Sequence, residues 1–271
     1  MKMLETKLLA GVASVAAVMW IMQGCTTVPV TGREELNFVP SGEETQLGIT
    51  SFDKLKASTP INHDPAINAM VQRVGWRIAA VASNDLPNAK WEFVVFESKE
   101  ANAFCLPGGK VGVYTGILPI AQNDAGLATV LGHEIGHAVA HHGASRMSQA
   151  MLVQAGGQVL GATLGASRFS KYQAAVLAAY GLGAQVGVEL PYDREQESEA
   201  DHIGLVYMAR AGYDPREAIA FWQRFMKFSQ EQGANHTPAF LRTHPLDEQR
   251  IQQLRQWLPE AEAAFAKSKL R

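Results

Sequence analysis

The sequence predicts an α+β fold that is mainly helical and carries one small three-stranded sheet. Apolar residues recur at helical spacing in several long segments, whereas residues 91–115 are dense in strand-forming residues and contain a Pro-Gly-Gly turn. The 271 residues are 47% hydrophobic and 18% charged, which is typical of a globular chain and excludes a disordered or multispan membrane protein. The net charge of -2 provides no basic field for a phosphate backbone, so we expect no nucleic-acid partner.

The N-terminal residues have the pattern of an export signal. Lys2 and Lys7 precede an uncharged apolar run over residues 8–22, shorter than the stretch of about 20 residues that a membrane-spanning helix needs. The run ends in Met22-Gln23-Gly24-Cys25, which resembles a lipobox, so we predict cleavage before Cys25 and lipidation of that cysteine. An uncleaved anchor helix is the alternative. Because Thr26 stands where inner-membrane retention usually has Asp, we expect a lipid anchor on the periplasmic face of a bacterial outer membrane.

The chain then divides into three parts. Residues 1–24 are the predicted signal peptide, residues 25–60 a lipidated tether and N-terminal segment, and residues 61–271 a single folded domain. The tether is rich in Thr, Pro, Gly and Glu and contains a short amphipathic stretch near residues 46–55. We expect no functional chemistry within it.

The first half of the domain contains one helix followed by three strands. Asp64 is a candidate N-cap with Pro65 at the first helical position, and the apolar periodicity that follows predicts a helix to about Val81. Residues 91–96 predict a strand. Residues 102–115 predict a hairpin around the Pro-Gly-Gly turn.

The second half of the domain is helical. The predicted helices cover residues 124–142, residues 195–210, a segment after Asp214-Pro215, and residues 247–267. Residues 155–190, between the first two of these helices, are rich in Gly and Ala. That composition predicts a mobile or loosely packed segment.

The strongest functional signal is His133-Glu134-Ile135-Gly136-His137. Two histidines four residues apart on a helix lie on one face, so both imidazoles can bind one Zn²⁺ ion. Glu134 lies beside the ion and suits a general base toward water. Gly132 and Gly136 strengthen the pattern, since glycine inside a helix is unfavourable unless another group approaches closely. We therefore predict one Zn²⁺ per chain.

A catalytic zinc site needs a third protein ligand, and the sequence predicts an acidic one. Glu197 and Asp201 are one helical turn apart, so one can bind the ion while the other accepts the outer N–H of a histidine ligand. By spacing alone, Glu195 and Glu199 would serve equally well. Our preferred interpretation is that Glu195 and Glu199 lie on a solvent-exposed acidic face of the helix.

These motifs together resemble those of a known family. His133-Glu134-x-x-His137, Glu197-x-x-x-Asp201, and Thr243-His244-Pro245 with Arg250 are similar to the motifs of the zinc metallopeptidases that include the HtpX-type heat-shock proteases, the prenyl-protein endopeptidases and a group of outer-membrane lipoprotein proteases. Residues 102–109 resemble the edge-strand segment of that family. The likeness covers about residues 35–260 and implies a zincin-like core of the gluzincin type.

The resemblance implies a role for each candidate residue. It selects Glu197 as the third zinc ligand, beside His133 and His137, and Asp201 as the outer hydrogen-bond partner. His244 and Arg250 are implied catalytic residues that stabilise the oxyanion, although in some lipoprotein members that His closes the open zinc position. The substrate would add as a strand to the edge, so the implied substrate-binding residues are Asn102, Ala103 and Phe104.

Two functions of different classes follow from these features. The first is a membrane-anchored zinc metalloendopeptidase that degrades misfolded or misassembled envelope proteins. The alternative is a chaperone-like outer-membrane assembly or quality-control factor whose zinc site is held closed by His244, with the Gly/Ala-rich segment lying over the cleft.

Two residues near the motifs receive no firm role. Cys105 stands where the family commonly has Ala, which places a free thiol near the predicted cleft. His141 continues the face of His133 and His137 by one turn, and we expect it to be an outer partner of the site or a surface residue.

Overall fold

Helices make up most of the part of the chain that the structure describes. This computed structural model describes residues 25–148, 194–232, 238–244 and 248–270. Its elements are β1 (Cys25–Thr27), β2 (Glu34–Leu36), α1 (Ser41–Ser58), α2 (Pro65–Ala82), β3 (Glu92–Phe96), β4 (Ala103–Leu106), β5 (Lys110–Tyr114), α3 (Leu118–Ala121), α4 (Asp124–Val139), α5 (Arg194–Arg210), α6 (Arg216–Glu231), α7 (Ala239–Thr243) and α8 (Glu248–Ser268). The predicted α+β class with one three-stranded sheet is confirmed. The predicted signal peptide and the Gly/Ala-rich segment lie outside the described residues.

Helix α2 begins where its sequence predicts. The Asp64 carboxylate accepts hydrogen bonds from the backbone N–H groups of Ala66 and Ile67, and Pro65 occupies the first helical position. The apolar face of the helix, which includes Val74 and Ile78, is fully buried. It packs against β3 and α4 and so covers one side of the sheet.

The sheet has the order β3-β5-β4. β4 runs antiparallel to β5 with Ala103 opposite Val113, which confirms the predicted hairpin, whereas β3 runs parallel to β5. The hairpin turn uses Gly108 and Gly109 at positive φ, a conformation that favours glycine. β4 is therefore an edge strand of this sheet, and it packs against α4.

The N-terminal segment is folded rather than a simple tether. β1 pairs antiparallel with β2, and α1 covers Ser41–Ser58, a longer helix than the stretch predicted at residues 46–55. Phe52 of α1 is fully buried and packs edge-on against Phe96 and Phe104 of the sheet. That contact with the sheet, which the local pattern does not show, stabilises the longer helix. No helix in the described part of the chain is long and apolar enough to cross a membrane.

Helices α4 and α5 approach each other very closely along a line of small residues. A Cβ atom on Gly204 would lie 2.7 Å from the carbonyl carbon of Gly132 and from the backbone nitrogen of His133. A Cβ atom on Gly136 would lie 2.9 Å from the carbonyl oxygen of Ala200. Real Cβ atoms do not make such contacts, so glycine at these positions permits the two backbones to touch. The close approach expected from Gly132 and Gly136 is therefore present.

Candidate metal centre

Four buried side chains from three elements bring their donor atoms together. His133 and His137 lie one turn apart on α4, Glu197 enters from α5, and His244 follows α7. One donor atom from each lies within 4.8 Å of all the others. The structure thus brings together the two histidines of the motif, the acid that the family resemblance selected, and His244.

The spacing of these donors fits a tetrahedral ion of the size of zinc. His133 Nε2 lies 3.1 Å from His137 Nε2 and 3.4 Å from Glu197 Oε2, and His137 Nε2 lies 3.3 Å from Glu197 Oε1. His244 Nδ1 lies 3.2 Å from His133 Nε2 and 3.1 Å from each Glu197 oxygen. Donors about 2.0–2.1 Å from a central ion occupy tetrahedron corners about 3.3–3.4 Å apart. The residues present therefore fit a metal ion.

The Asp201 carboxylate and the Arg250 guanidinium orient the His133 ring from the side opposite to the donor cluster. His133 Nδ1 donates to Asp201 Oδ1 at 2.9 Å, so Nε2 is the ring nitrogen that faces the other donors. Arg250 binds Asp201 through two nitrogens, at 2.8 Å and 2.9 Å, and its third lies 3.2 Å from Glu197. The guanidinium also stacks over the Trp222 ring at 4.4 Å. Arg250 therefore contacts both carboxylates of the site.

These contacts set the charge states of the centre. Burial alone would lower the pKa of His133, but its hydrogen bonds with Asp201 and Glu197 outweigh burial and raise that pKa to about 9. Burial lowers the pKa of His137 well below its ordinary value. Although burial opposes ionisation, the neighbouring His244 and His137 hold the pKa of Glu197 well below its ordinary value. These directions favour a neutral imidazole at His137 and an ionised carboxylate at Glu197, the forms in which both residues bind metals.

Glu134 lies beside the donor cluster with one oxygen turned toward it. Among the residues that the structure describes, its buried Oε1 accepts no hydrogen bond, and it lies 3.3 Å from His244 Nε2. Burial raises the pKa of this carboxyl above its ordinary value. An unsatisfied buried carboxylate oxygen next to a metal site is suited to bind and deprotonate a water molecule.

The sequence analysis did not predict a second series of contacts, which begins at His137 Nδ1. His142, fully buried, places Nδ1 2.7 Å from His137 Nδ1 and Nε2 3.0 Å from Glu199 Oε2. Glu199 in turn binds Arg33 and Thr31 of the N-terminal segment. The solvated acidic face expected for Glu199 is therefore wrong, because that side chain is buried. The spacing of five residues between His137 and His142, across a helix end, is the only sequence signal for this contact.

Three further predictions are corrected or refined here. His141 does not continue the helical face, because α4 ends at Val139; it instead donates to the buried Glu44 at 2.9 Å. The segment 25–60 is not isolated from this region, since Thr31 and Arg33 bind Glu199, which contacts His142. Cys105 lies on β4 near Glu134, and burial raises the pKa of its thiol above the range in which it ionises readily.

The predicted substrate-binding residues lie at the start of the edge strand. The Asn102 carbonyl accepts a hydrogen bond from the Tyr114 N–H at 3.0 Å, and Ala103 is buried. The Phe104 ring packs in an aromatic cluster with Phe52, Phe96 and Tyr114. The partly buried Phe104 side chain thus packs against this cluster, and the backbone of β4 forms the edge of the sheet.

The fold and the site together define a class of protein. A helix with the His-Glu-x-x-His motif, a carboxylate from a second helix completing the donor set and a small sheet whose edge strand packs on the first helix form the site of a zincin-like metallopeptidase.

Comparison with known proteins identifies the family. The chain matches the sequence profile of Peptidase family M48 over residues 65–258, and it belongs to that family. The mitochondrial metalloendopeptidase OMA1 of Saccharomyces cerevisiae is 33% identical over 256 residues, which cover 89% of this chain and 71% of that protein. The protein of the same name from Schizosaccharomyces pombe is 34% identical over 87% of this chain and 67% of its own length. The β-barrel assembly-enhancing protease of Escherichia coli is 28% identical over 83% of this chain, which spans 46% of that protein.

The comparisons confirm one prediction and correct others. The chain is a metalloendopeptidase of a metal-dependent family, as predicted. The resemblance is confirmed at the level of the family, but these relatives are neither HtpX-type nor prenyl-protein endopeptidases. The predicted location on the periplasmic face of a bacterial outer membrane is wrong by this comparison, because the relatives from the two yeasts and from Arabidopsis thaliana are mitochondrial proteins.

Proposed function

We propose that the protein is a zinc-dependent endopeptidase in which His133, His137 and Glu197 hold the ion. The observation that carries this proposal is the tetrahedral spacing of the donor cluster beside Glu134 Oε1, which accepts no hydrogen bond from the described residues. Two imidazoles and one carboxylate are the ligand set of many catalytic zinc sites. Zinc bound there supplies a Lewis acid that lowers the pKa of water to about 7 and polarises the substrate carbonyl.

Glu134 is the proposed general base. Its buried Oε1 is placed to accept the proton of the attacking water and to pass it later to the leaving amine. Because burial raises its pKa, the carboxyl can hold a proton between the two steps. Arg250 keeps the Asp201 and Glu197 carboxylates in place through its buried ion pairs, so we assign it a positioning role in addition to the oxyanion role that the resemblance implies.

The substrate is proposed to be an unfolded or misassembled protein. An extended peptide can add to the main chain of β4 along Asn102, Ala103 and Phe104, since pairing through backbone groups selects little for sequence. The finer substrate class, misfolded or misassembled envelope proteins, is supported by the names of the bacterial relatives, the β-barrel assembly-enhancing proteases of E. coli and Yersinia pestis.

The lipid anchor at Cys25 is likewise a proposal, supported by the lipobox-like sequence before it. β1 begins at Cys25, which pairs with Leu36. An acyl chain at this residue would attach the folded domain to a membrane with little intervening chain. Labelling with a radioactive fatty acid should mark the parent protein and leave Cys25→Ser unlabelled; an unlabelled parent excludes the anchor.

The test of the peptidase proposal combines metal analysis with cleavage of unfolded casein. We expect the purified protein to contain one zinc per chain. Glu134→Gln should retain the zinc and lose about 10²–10⁴-fold of the cleavage rate. Glu43→Gln, which changes an exposed carboxylate on α1, is the matched control and should cleave like the parent. A Glu134→Gln protein as active as the parent would contradict the mechanism.

A second candidate function has its own support in the position of His244. With Nδ1 3.2 Å from His133 Nε2 and 3.1 Å from the Glu197 oxygens, His244 takes the fourth corner that an active site leaves for water and substrate. We propose that this arrangement is a closed form of the site, as expected of an assembly or quality-control factor with a regulated zinc centre. His244→Ala should then raise the initial cleavage rate. If His244 instead stabilises the oxyanion, the same substitution lowers the rate.

A further inference from the structure

We propose that His142 and Glu199 are positioning residues for His137, and that Arg33 and Thr31 of the N-terminal segment hold this pair in place. The inference rests on the proposed role of His137 as a metal ligand. It makes a segment outside the family match, which begins at residue 65, a functional part of the metal centre.

The contacts form one continuous path. His137 Nδ1 lies 2.7 Å from His142 Nδ1, and His142 Nε2 lies 3.0 Å from Glu199 Oε2. All three side chains are buried, and His142 is fully buried. Buried polar groups in direct contact stabilise one arrangement, because a change in any of them leaves its neighbour without a partner.

With His142 neutral, as its burial favours, the order of donors and acceptors along this path has one consistent solution. Glu199 is a carboxylate and accepts, so His142 Nε2 carries the proton and donates to it. His142 Nδ1 is then the acceptor, and His137 Nδ1 must donate to it. His137 Nε2 is left as a lone pair that faces Glu197 and His133. The path thus selects the tautomer of His137 that binds a metal, as Asp201 does for His133.

The local backbone turns sharply to place His142. Helix α4 ends at Val139, and His141 adopts φ +54°, a left-handed conformation that is uncommon for a residue other than glycine. The hydrogen bond from His141 to the buried Glu44 of α1 holds this turn. Had the helix continued, His142 would point away from His137 rather than back toward it. The left-handed turn at His141 is therefore needed to bring His142 into contact with His137.

The far end of the path is fixed by the N-terminal segment. Arg33 Nε donates to Glu199 Oε2 at 2.9 Å, and the Thr31 hydroxyl donates to Glu199 Oε1. Arg33 also pairs with Glu35 of β2, and Glu35 accepts a hydrogen bond from Gln196 at 2.9 Å. Both oxygens of Glu199 are thereby engaged, which fixes the carboxylate that orients His142.

A second metal ion is the main alternative for these groups. One donor atom each of Glu35, His142 and Glu199 lies within 4.8 Å of the others, as in a metal cluster. The Arg33 guanidinium, however, lies against both carboxylates and supplies the positive charge that such a site would take from an ion. The geometry therefore favours one metal per chain, with this group as its outer support.

The zinc dissociation constant, measured on the full chain by competition with a chelator, tests the proposal. His142→Ala should weaken zinc binding by about 10–100-fold, the usual effect of removing an outer partner of a ligand. His142→Asn places an amide oxygen near the position of Nδ1 and should recover most of the affinity. Arg33→Ala should cause a smaller loss. His63→Ala, an exposed histidine, is the control and should bind zinc like the parent.

Two more measurements separate positioning from loss of structure. The visible absorption of the cobalt-substituted protein should change in His142→Ala and not in His63→Ala, since it reports the ligand geometry at the ion. Unfolding by urea with EDTA present measures the stability of each variant without metal. The proposal is overturned if His142→Ala keeps the parent affinity, if Asn and Ala at this position lose affinity equally, or if the parent binds two zinc ions. A parent that binds no zinc overturns the peptidase proposal as well.

Discussion

The two histidines of helix α4 are oriented in two different ways. His133 donates directly to Asp201, which Arg250 holds from the opposite side, and every member of this first arm is buried. His137 reaches its carboxylate, Glu199, only through the ring of His142, and the second arm ends at Arg33, whose side chain is 31% exposed. Both arms end in a carboxylate paired with an arginine.

Because of this difference, we expect the first arm to contribute mainly to the stability of the fold and the second arm mainly to the orientation of His137. Removing one partner of a fully buried ion pair strongly destabilises the folded protein, because the other charge stays buried without a partner. A charge near solvent can instead turn outward and be hydrated. The first arm joins α4, α5 and α8, so its loss damages the core. The second arm joins α4 to the N-terminal segment, so under the proposed function we expect its loss to affect mainly the geometry of the metal ligands.

Asp201→Ala should produce the largest effect and would break the first arm. It leaves Arg250 and His133 buried without their carboxylate, so we expect the free energy of unfolding to fall by about 3–5 kcal/mol. Urea denaturation in the presence of EDTA measures this loss. Glu199→Ala is the matched change in the second arm and should lose less than half as much, because Arg33 can turn toward water. Equal losses in the two variants would remove the distinction drawn here.

The two arms should also respond oppositely to pH in the metal-free protein. The pKa of His133 is raised to about 9 from an ordinary value of 6.5, so its contribution to stability is present below pH 6.5 and is lost as the pH rises through 9. Burial lowers the pKa of His142 to about 4. In the unfolded chain His142 therefore binds a proton near pH 6.5, whereas in the folded chain it does so only near pH 4. The free energy of unfolding consequently falls as the pH drops between these values.

Each of these windows involves on the order of 3 kcal/mol, since one pKa unit corresponds to about 1.4 kcal/mol. Urea unfolding from pH 4.5 to 9 with EDTA present should show the greatest stability near pH 6.5. His142→Asn should reduce the slope on the acid side of the profile, where His137 also contributes, and Asp201→Asn should reduce the slope on the alkaline side. If either substitution flattens both sides, the arms are not independent.

Gly204→Ala should affect both arms together. The added Cβ would lie 2.7 Å from the backbone of Gly132 and His133, so helices α4 and α5 must separate. We expect a loss of about 1–3 kcal/mol in the free energy of unfolding and weaker zinc binding. Gly42→Ala is the control, because a Cβ at that helical position meets nothing within 4 Å and should leave both quantities nearly unchanged.

Local patterns were sufficient to predict most helices and the central hairpin. The Asp64 cap and Pro65 determine the start of α2, and alternating residues around the Pro-Gly-Gly turn determine the register of β4 and β5, because these signals act over a few residues. The end of α4 was predicted three residues too late, at His142. The left-handed turn at His141 depends on Glu44, nearly a hundred residues earlier in the chain, so no local pattern indicates it.

The residues of the donor cluster were predicted more completely than the residues that surround and orient them. The four-residue spacing of His133 and His137 places both on one face by helix geometry alone, and the family resemblance selected Glu197. Glu195 is exposed, as expected, but Glu199 is buried beneath Arg33. The sequence of α5 does not show which acidic residue another part of the chain will cover, because that depends on tertiary packing.

The distance along the chain between Arg33 and Glu199, 166 residues, has a consequence for folding. The two histidines acquire their spacing as soon as one helix forms, whereas the contact with Arg33 requires the N-terminal segment to meet α5. Contacts of such long range form late, because much chain must be ordered before they can close. Under the proposed function, a chain that holds its metal tightly has therefore completed its tertiary structure. A partly folded precursor, lacking the second arm, would hold the ion weakly and remain a poor peptidase until folding is finished.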